Sequence, residues 1–395
     1  MERWISFLHR KFDNYSFEEY CIMCIACTIF LPYYFSVCSI ILFLFYLAVK
    51  GKLFKSIRIV PKAWFAIIFC LLTSFVAVLY QNYIGAFCGL VILCIMIFTI
   101  YYRTIINKRL FELLMDACCI ISLFCVIWAI MEYTKIVDQL GLDFFMFEIE
   151  DNPKYRVNST FFNANYYAMM IEFIVLICVY KMMQMKTKRR IIFYTIVIIA
   201  NLFALYLTGC RTAWIPFVVT IPLMFLMNMR LRFFTISMST ILVGGMSILF
   251  HPQLMQRTSI FIDFMKRAKI WKTAIYGIME HPLFGQGPLT YMHIYKKYHG
   301  HPTQHAHSVF LDPLLSHGVI LVIVFGIYLF ANIKEHWLLF KRKIDIRLCS
   351  LFTAFVLTVL IHGMLDYTIY WIQTAQLFLL VCSASSMYFK QRNER

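Results

Sequence analysis

The chain has 395 residues, 62% of them hydrophobic and 14% charged, with a mean hydropathy of +0.73, which is more apolar surface than a water-soluble fold can hide. Its formal net charge of +17 comes in short bursts of Lys and Arg between long apolar runs. That is the pattern of cytoplasmic membrane loops rather than of a nucleic-acid surface, so no nucleic-acid partner is expected.

Apolar stretches able to cross or nearly cross a bilayer fall at 19–34, 36–49, 63–80, 84–102, 112–134, 162–181, 191–208, 212–229, 233–250, 307–330, 348–364 and 367–389. They predict an all-α integral membrane protein, one polytopic domain over 1–395 with about 12 transmembrane helices. The first stretch follows a charged segment (Arg10, Lys11, Asp13, Glu18, Glu19) and has no small-residue cleavage site after it, so it is expected to stay as an anchor. With the amino terminus inside, the cytoplasmic turns receive Lys50, Lys52, Lys55, Arg58 and Lys62, then Arg103, Lys108 and Arg109, then Lys181 through Arg190. Arg230, Arg232, Lys334, Lys341, Arg342, Lys343 and Arg347 follow, and both termini are cytoplasmic. The outer connection 138–155 is acidic, with Asp138, Asp143, Glu148, Glu150 and Asp151. The 14 cysteines, among them Cys21, Cys24, Cys27, Cys118 and Cys119, match no zinc-ligand spacing and read as small apolar packing residues.

Two outer connections exceed a turn, 138–161 and 251–306, the latter a large loop between the ninth and tenth helices. In it Phe264, Ala268, Trp271, Ile275 and Ile278 recur at helical spacing, with Lys266, Lys269 and Lys272 on another face. An amphipathic helix over 262–280 follows, either lying along the membrane surface or capping the bundle, and ended by His281-Pro282. Gly285-Gln286-Gly287-Pro288 then gives a turn.

Arg211, after Thr208-Gly209-Cys210, sits at the outer membrane boundary, where a poorly hydrated cation either calls for an anion or snorkels to headgroups. Arg156 precedes Asn158, Ser159, Thr160, Asn163 and Asn165, residues equally suited to a binding site or to capping a helix. Arg267 stands one helical turn before Trp271. Gln304-His305-Ala306-His307-Ser308 opens the tenth apolar stretch, and a histidine beside an acceptor hydroxyl is a candidate general base. The five histidines between 293 and 307 fit no standard metal-ligand set, and no metal or cofactor is expected. Asp116, Glu172, Asp312 and Asp366 lie within or beside apolar stretches and need a polar cavity or a cationic partner; Asp312 or Asp366 could orient His307 or pair with an arginine.

Three stretches together resemble the O-antigen ligase and polymerase superfamily: Leu207-Thr208-Gly209-Cys210-Arg211-Thr212-Ala213-Trp214, then Arg267 through Trp271 with His281-Pro282-Leu283-Phe284-Gly285-Gln286-Gly287-Pro288, then His305-Ala306-His307-Ser308. Arg156 to Ala168, with Asn163-Ala164-Asn165, is also similar, so the likeness spans about 150–330. His307, Ser308 and Gly318 follow the ligase pattern, whereas Leu321 stands where its second Gly is expected and Cys210 where Ser usually precedes the Arg.

The resemblance implies a GT-C-like membrane glycosyltransferase of the inner membrane. It would move a glycan from an undecaprenyl-pyrophosphate carrier to a hydroxyl acceptor, without a metal and with inversion. Arg156, Arg211 and Arg267 would hold the pyrophosphate, His307 would take the acceptor proton, and Asn163, Asn165, His305, Asp312 and Asp366 would line the site. Because of Leu321, and because nothing identifies a lipid A core acceptor, polymerisation of repeat units is favoured over ligation of finished glycan; a transporter or flippase for the same lipid-linked glycans is the alternative of another class.

Overall fold

The computed structural model describes residues 15–144, 155–185, 187–251 and 260–389, and these contain helices and no strand. Arg10, Lys11 and Asp13 of the expected anchor, and Glu148, Glu150 and Asp151 of the acidic connection, lie outside the described residues. The twelve apolar stretches all fall on helices: α1 (Phe17–Thr28), α2 (Tyr33–Val49), α4 (Ala63–Leu79), α5 (Tyr83–Ile105), α6 (Lys108–Leu140), α7 (Ala164–Gln184), α8 (Lys188–Leu207), α9 (Ile215–Met227), α10 (Leu231–Phe250), α13 (Leu311–Lys341), α14 (Ile346–Gly363) and α15 (Ile372–Cys382). Among the described residues there are three more α-helices: α3 (Lys52–Ile59), α11 (Ile260–Glu280) and α12 (Thr290–Ile294).

Among the described residues α5, α6, α7, α8, α10, α13 and α14 are each long and apolar enough to cross a bilayer, and α2 with α3 forms a pair bent by 97°. The segments Ala63–Leu79 and Arg211–Met227 are apolar but shorter. At 1.5 Å per residue, a helix of that length reaches about 26 Å against a hydrocarbon core of about 30 Å. The chain is a multi-pass membrane protein, with full-length spans interleaved with short apolar helices.

Burial sorts these helices. The side chains of α7 are mostly apolar and nearly all buried, which makes α7 the centre of the bundle. Around it pack Leu110, Phe111, Leu114 and Met115 of α6, Val197 and Leu205 of α8, and Leu351 and Phe355 of α14. No residue of α10 is buried; it stands at the rim with an apolar surface suited to lipid.

Two acidic residues inside the bundle have partners. Glu172 of α7 meets His362 Nδ1 of α14 at 2.9 Å, and Asp116 of α6 meets Lys181 Nζ at 2.6 Å and the Tyr194 hydroxyl at 2.7 Å. An unpaired charge at these depths would cost several kcal/mol, which explains why each acid has a base or hydroxyl against it. All 14 cysteines are free thiols, and Cys118, Cys119 and Cys178 are buried as packing residues.

Two boundaries differ from the expected ones. α6 continues past its apolar run to Leu140, ending where Gly141 takes a left-handed φ of 65°. α13 starts at Leu311 rather than at 307, and it is broken at Gly318 (φ 65°, ψ 175°). A break inside a membrane helix strands backbone donors and acceptors, and here the turn after His281 pairs with them. Gly287 N–H donates to Ser316 O (2.8 Å), Val319 N–H to Pro282 O (2.9 Å) and Ile320 N–H to Leu283 O (3.0 Å). Gly318 and Gly285 permit this approach, since a Cβ on either would stand about 2.5 Å from the opposing backbone.

The expected helix over 262–280 is α11. Its buried stripe is Ile270 and Ala274, with Trp271 and Ile278 partly covered, packed on Tyr291, Ile294, Ala306 and Leu315. Phe264 and Ile275, expected on the inward face, are exposed. The helix therefore caps α12 and the start of α13, and the packing stripe is rotated from the one the apolar spacing suggested.

Candidate active site

Six connections meet at one end of the bundle. Gln373 Nε2 donates to Ile29 O (2.9 Å), Thr160 Oγ1 donates to Phe30 O (2.8 Å), and Asn82 Nδ2 donates to Pro288 O (2.7 Å). Arg156 and Thr208, and Val309 and Gly363, join the remaining segments. Ion pairs rich in Lys and Arg mark the opposite end, among them Lys52 with Glu18, Arg103 with Glu335 and Lys108 with Asp345.

His307 sits in this cluster, before α13. Ser308 closes the turn that leads into that helix, its Oγ accepting from Phe310 N–H and Leu311 N–H (3.3 Å each), so His307 lies outside the first helical turn. His307 takes a left-handed φ of 46°, which costs about 1–3 kcal/mol in a residue with a side chain unless its surroundings hold it. They do: its N–H donates to His305 Nδ1 (3.3 Å), and its carbonyl accepts from Trp271 Nε1 of α11 (3.4 Å).

The His307 ring is held through both nitrogens. Nδ1 lies 2.8 Å from Asp366 Oδ1 and Nε2 lies 2.9 Å from Thr303 Oγ1. Asp366 is buried in the connection after α14, while the His307 side chain keeps 23% of its surface open. Burial pulls the Asp366 carboxyl up, but His307, through its charge when protonated and its hydrogen bond, outweighs it and holds the group well below the usual carboxylate range. An ionised Asp366 keeps the proton on Nδ1, so Nε2 presents its lone pair.

The other Asp366 oxygen accepts from Asn165 Nδ2. Asn165 Oδ1 accepts from Arg156 Nη2 (2.6 Å), and Arg156 Nε donates to Thr208 O (2.9 Å). A continuous hydrogen-bonded line thus runs Thr208, Arg156, Asn165, Asp366, His307, Thr303. Arg156 is itself fixed because Glu132 Oε2 accepts from Asn158 N–H (3.0 Å) and Ser159 N–H (2.7 Å). Thr208 ends α8, Gly209 follows with φ 61°, and half-buried Arg211 begins the 3-10 turn Arg211–Trp214. Arg267, half-buried, lies one helical turn before the Trp271 that braces His307.

The remaining candidates are placed as follows. Asn163 is exposed and caps α7, its Oδ1 accepting from Asn165 N–H (2.8 Å). Asp312 does not touch His307; its Oδ2 accepts from Ala306 N–H (2.6 Å) and so pins the loop backbone. His305 is buried, with Nε2 3.2 Å from the Tyr166 hydroxyl, and Tyr166 stacks on Trp371 at 4.8 Å. Burial, then His307 when protonated, pushes the His305 pKa down to about 3, so His305 is neutral and accepts at Nδ1.

Of the five loop histidines, His305 and His307 join Asp366 in a group whose ligand atoms lie within 4.8 Å of one another. Two imidazoles and a carboxylate are a ligand set a divalent ion can use. An ion would have to displace the bond between His307 and Asp366, and both His305 nitrogens already have partners. Histidine spacing within the loop could not reveal this group, because its third member comes from another segment.

Thr303, Tyr166 and Gly363 escaped the sequence reading. Val309 N–H donates to Gly363 O (2.7 Å), and this bond sets His307, two residues before, against Asp366, three residues after. Gly363 is needed there because a Cβ would stand 2.7 Å from that of Val309. Nothing in the local sequence marks either position.

No curated protein matches the chain. The family model for O-Antigen ligase matches residues 196–326, a range that holds the Arg211 turn, all of α11 and the clasp at Gly318, together with His305 and His307. Over that range, about a third of its length, the chain is similar to the O-Antigen ligase family.

Proposed function

We propose that the protein is a membrane glycosyltransferase that moves a glycan from an undecaprenyl-pyrophosphate carrier to a hydroxyl acceptor, with His307 as general base. The observation that carries this reading is the pair His307–Asp366, with Nδ1 on an ionised carboxylate and Nε2 directed to a hydroxyl.

In the step proposed, the acceptor oxygen bonds to the anomeric carbon as the bond from that carbon to the pyrophosphate oxygen breaks. The electron pair leaves with the pyrophosphate, the acceptor proton passes to Nε2, and attack from the face opposite the leaving group inverts the anomeric centre. Asp366 stabilises the resulting imidazolium. Arg211 and Arg267 meet the charge that develops on the leaving group, since guanidinium forks match phosphate oxygens. Arg156 adds positive charge on the same side and, through Asn165, fixes Asp366. His305 and Asp312 hold the loop, and Asn163 sets the start of α7.

The site end corresponds to the outer face of the inner membrane in a twelve-crossing topology, because the Lys- and Arg-rich connections gather at the other end. Repeat-unit polymerisation into a surface polysaccharide is preferred to ligation on account of Leu321, which is buried in the cluster that also holds Ala66 and Phe69 and stands where the ligase pattern has Gly. The test is incubation with a synthetic undecaprenyl-pyrophosphate-linked oligosaccharide: longer glycans and released carrier are expected, and flipping of labelled lipid without bond formation would favour transport instead.

A further inference from the structure

The hydroxyl that His307 Nε2 meets belongs to the chain itself. Thr303 Oγ1 lies 2.9 Å from Nε2, and with Nδ1 committed to Asp366 the Thr303 hydroxyl is the donor of that bond. An acceptor hydroxyl delivering its proton to the base needs the same lone pair along the same direction.

The loop around Thr303 is anchored on both sides. Gly300 N–H donates to Tyr295 O (2.6 Å) and the Tyr291 hydroxyl donates to His301 O (3.1 Å); beyond it, Ala306 N–H is held by Asp312 Oδ2 (2.6 Å). Between these anchors Thr303 is half-buried beside exposed Pro302 and Gln304. Its hydroxyl can leave Nε2 by rotation about χ1 alone, without moving the anchored backbone.

We infer that the Thr303 hydroxyl holds the place of the acceptor hydroxyl on His307, keeping water off the base until an acceptor displaces it. The inference rests on the reading of His307 as base and adds a determinant of acceptor over water. His307 is partly open to solvent, so a vacated Nε2 would be hydrated. A water there can do what the acceptor does: its oxygen bonds to the anomeric carbon, the bond to pyrophosphate breaks with its electron pair, and the water proton goes to Nε2. The products are free reducing glycan and undecaprenyl pyrophosphate. Thr303 suppresses this loss because its own oxygen, tethered to the loop, is not free to reach the donor.

The test uses the full chain in lipid nanodiscs with a synthetic undecaprenyl-pyrophosphate-linked oligosaccharide, reading the ratio of free reducing glycan to extended glycan. Thr303→Ala and Thr303→Val should raise that ratio about tenfold, the scale of one lost hydrogen bond of about 1.4 kcal/mol. Thr303→Ser should restore the wild-type ratio, a recovery that a purely packing role for the threonine methyl would not give. An unchanged ratio in folded Thr303→Ala and Thr303→Val would overturn the inference. So would loss of both products in these variants with activity kept in Thr303→Ser, since Thr303 would then be relaying the proton. Both products persisting in His307→Ala would instead remove the base itself, an outcome separate from either.

Discussion

His307 Nδ1 and Asp366 Oδ1 lie 2.8 Å apart although 59 residues separate them, and a backbone bond between Val309 and Gly363 draws their two segments together. The carboxylate fixes which ring nitrogen carries the proton. Asp366→Asn keeps the shape but loses that preference, and kcat should fall about 10²- to 10⁴-fold while the melting temperature in detergent changes little. Equal loss in KM alone would mean that Asp366 binds substrate rather than tuning the base.

Gly363→Ala should cripple the enzyme without touching any reacting group. The new Cβ would stand 2.7 Å from the Val309 Cβ, and the backbone can yield only by parting the segments that carry His307 and Asp366. A loss of activity of about a hundredfold is expected, the scale of a displacement of about 1 Å at a reacting group. Activity equal to wild type in a correctly inserted Gly363→Ala protein would show that the pair tolerates separation.

Arg156 uses two sides of its guanidinium, Nε on Thr208 O and Nη2 on Asn165 Oδ1. Lysine is a point charge and cannot span both acceptors. Arg156→Lys should therefore lose about tenfold in kcat, close to the value of one charge-assisted hydrogen bond of about 1.5 kcal/mol. Steady-state rates at saturating donor check this, and a wild-type kcat would mean that Arg156 contributes charge alone.

The buried, neutral His305 makes a stability prediction with a definite sign. Its pKa is pushed from 6.5 down to about 3 in the folded state, so below pH 6.5 the unfolded chain takes up a proton that the folded chain refuses. Stability is unaffected above pH 6.5 and falls as pH drops toward 3, by up to about 1.4 kcal/mol per pH unit. His305→Gln removes that slope. Melting curves in detergent between pH 8 and pH 5 should show a smaller acid decline in the variant, and parallel curves would contradict a neutral His305.

Chelators should leave glycan transfer intact, because the proposed step needs no ion. The cluster of His305, His307 and Asp366 makes the experiment informative. Inhibition by a chelator, reversed by a divalent cation and absent from the His305→Gln variant, would show that these side chains hold a working metal.

Much of the architecture was legible because membrane helices announce themselves by length and hydropathy, and every apolar stretch became a helix. His307, Asp366, Arg156 and Asn165 could be named singly, since charged and polar residues at the edge of apolar runs are costly without a task. Their order along one hydrogen-bonded line could not, because it depends on contacts such as Arg156 to Thr208 O that involve backbone carbonyls, which every residue has. Thr303 was invisible for a similar reason: a threonine in a polar loop is unremarkable until His307 turns toward it at φ 46°. The face of α11 was misread because spacing locates an apolar stripe, whereas Tyr291, Ile294 and Ala306 decide which part of it is covered. The break at Gly318 was hidden inside a continuous apolar run, with its backbone partners well upstream at Pro282 and Leu283.

The most direct test of the central claim is a comparison of purified wild-type, His307→Ala and Arg211→Ala proteins given a synthetic undecaprenyl-pyrophosphate-linked oligosaccharide, following released carrier and bond formation together. The wild type should release carrier as new glycosidic bonds form, His307→Ala should fall about 10²- to 10⁴-fold, and Arg211→Ala about 10²- to 10³-fold. Wild-type rates in both variants would contradict a base at His307 and a cationic hold on the leaving pyrophosphate.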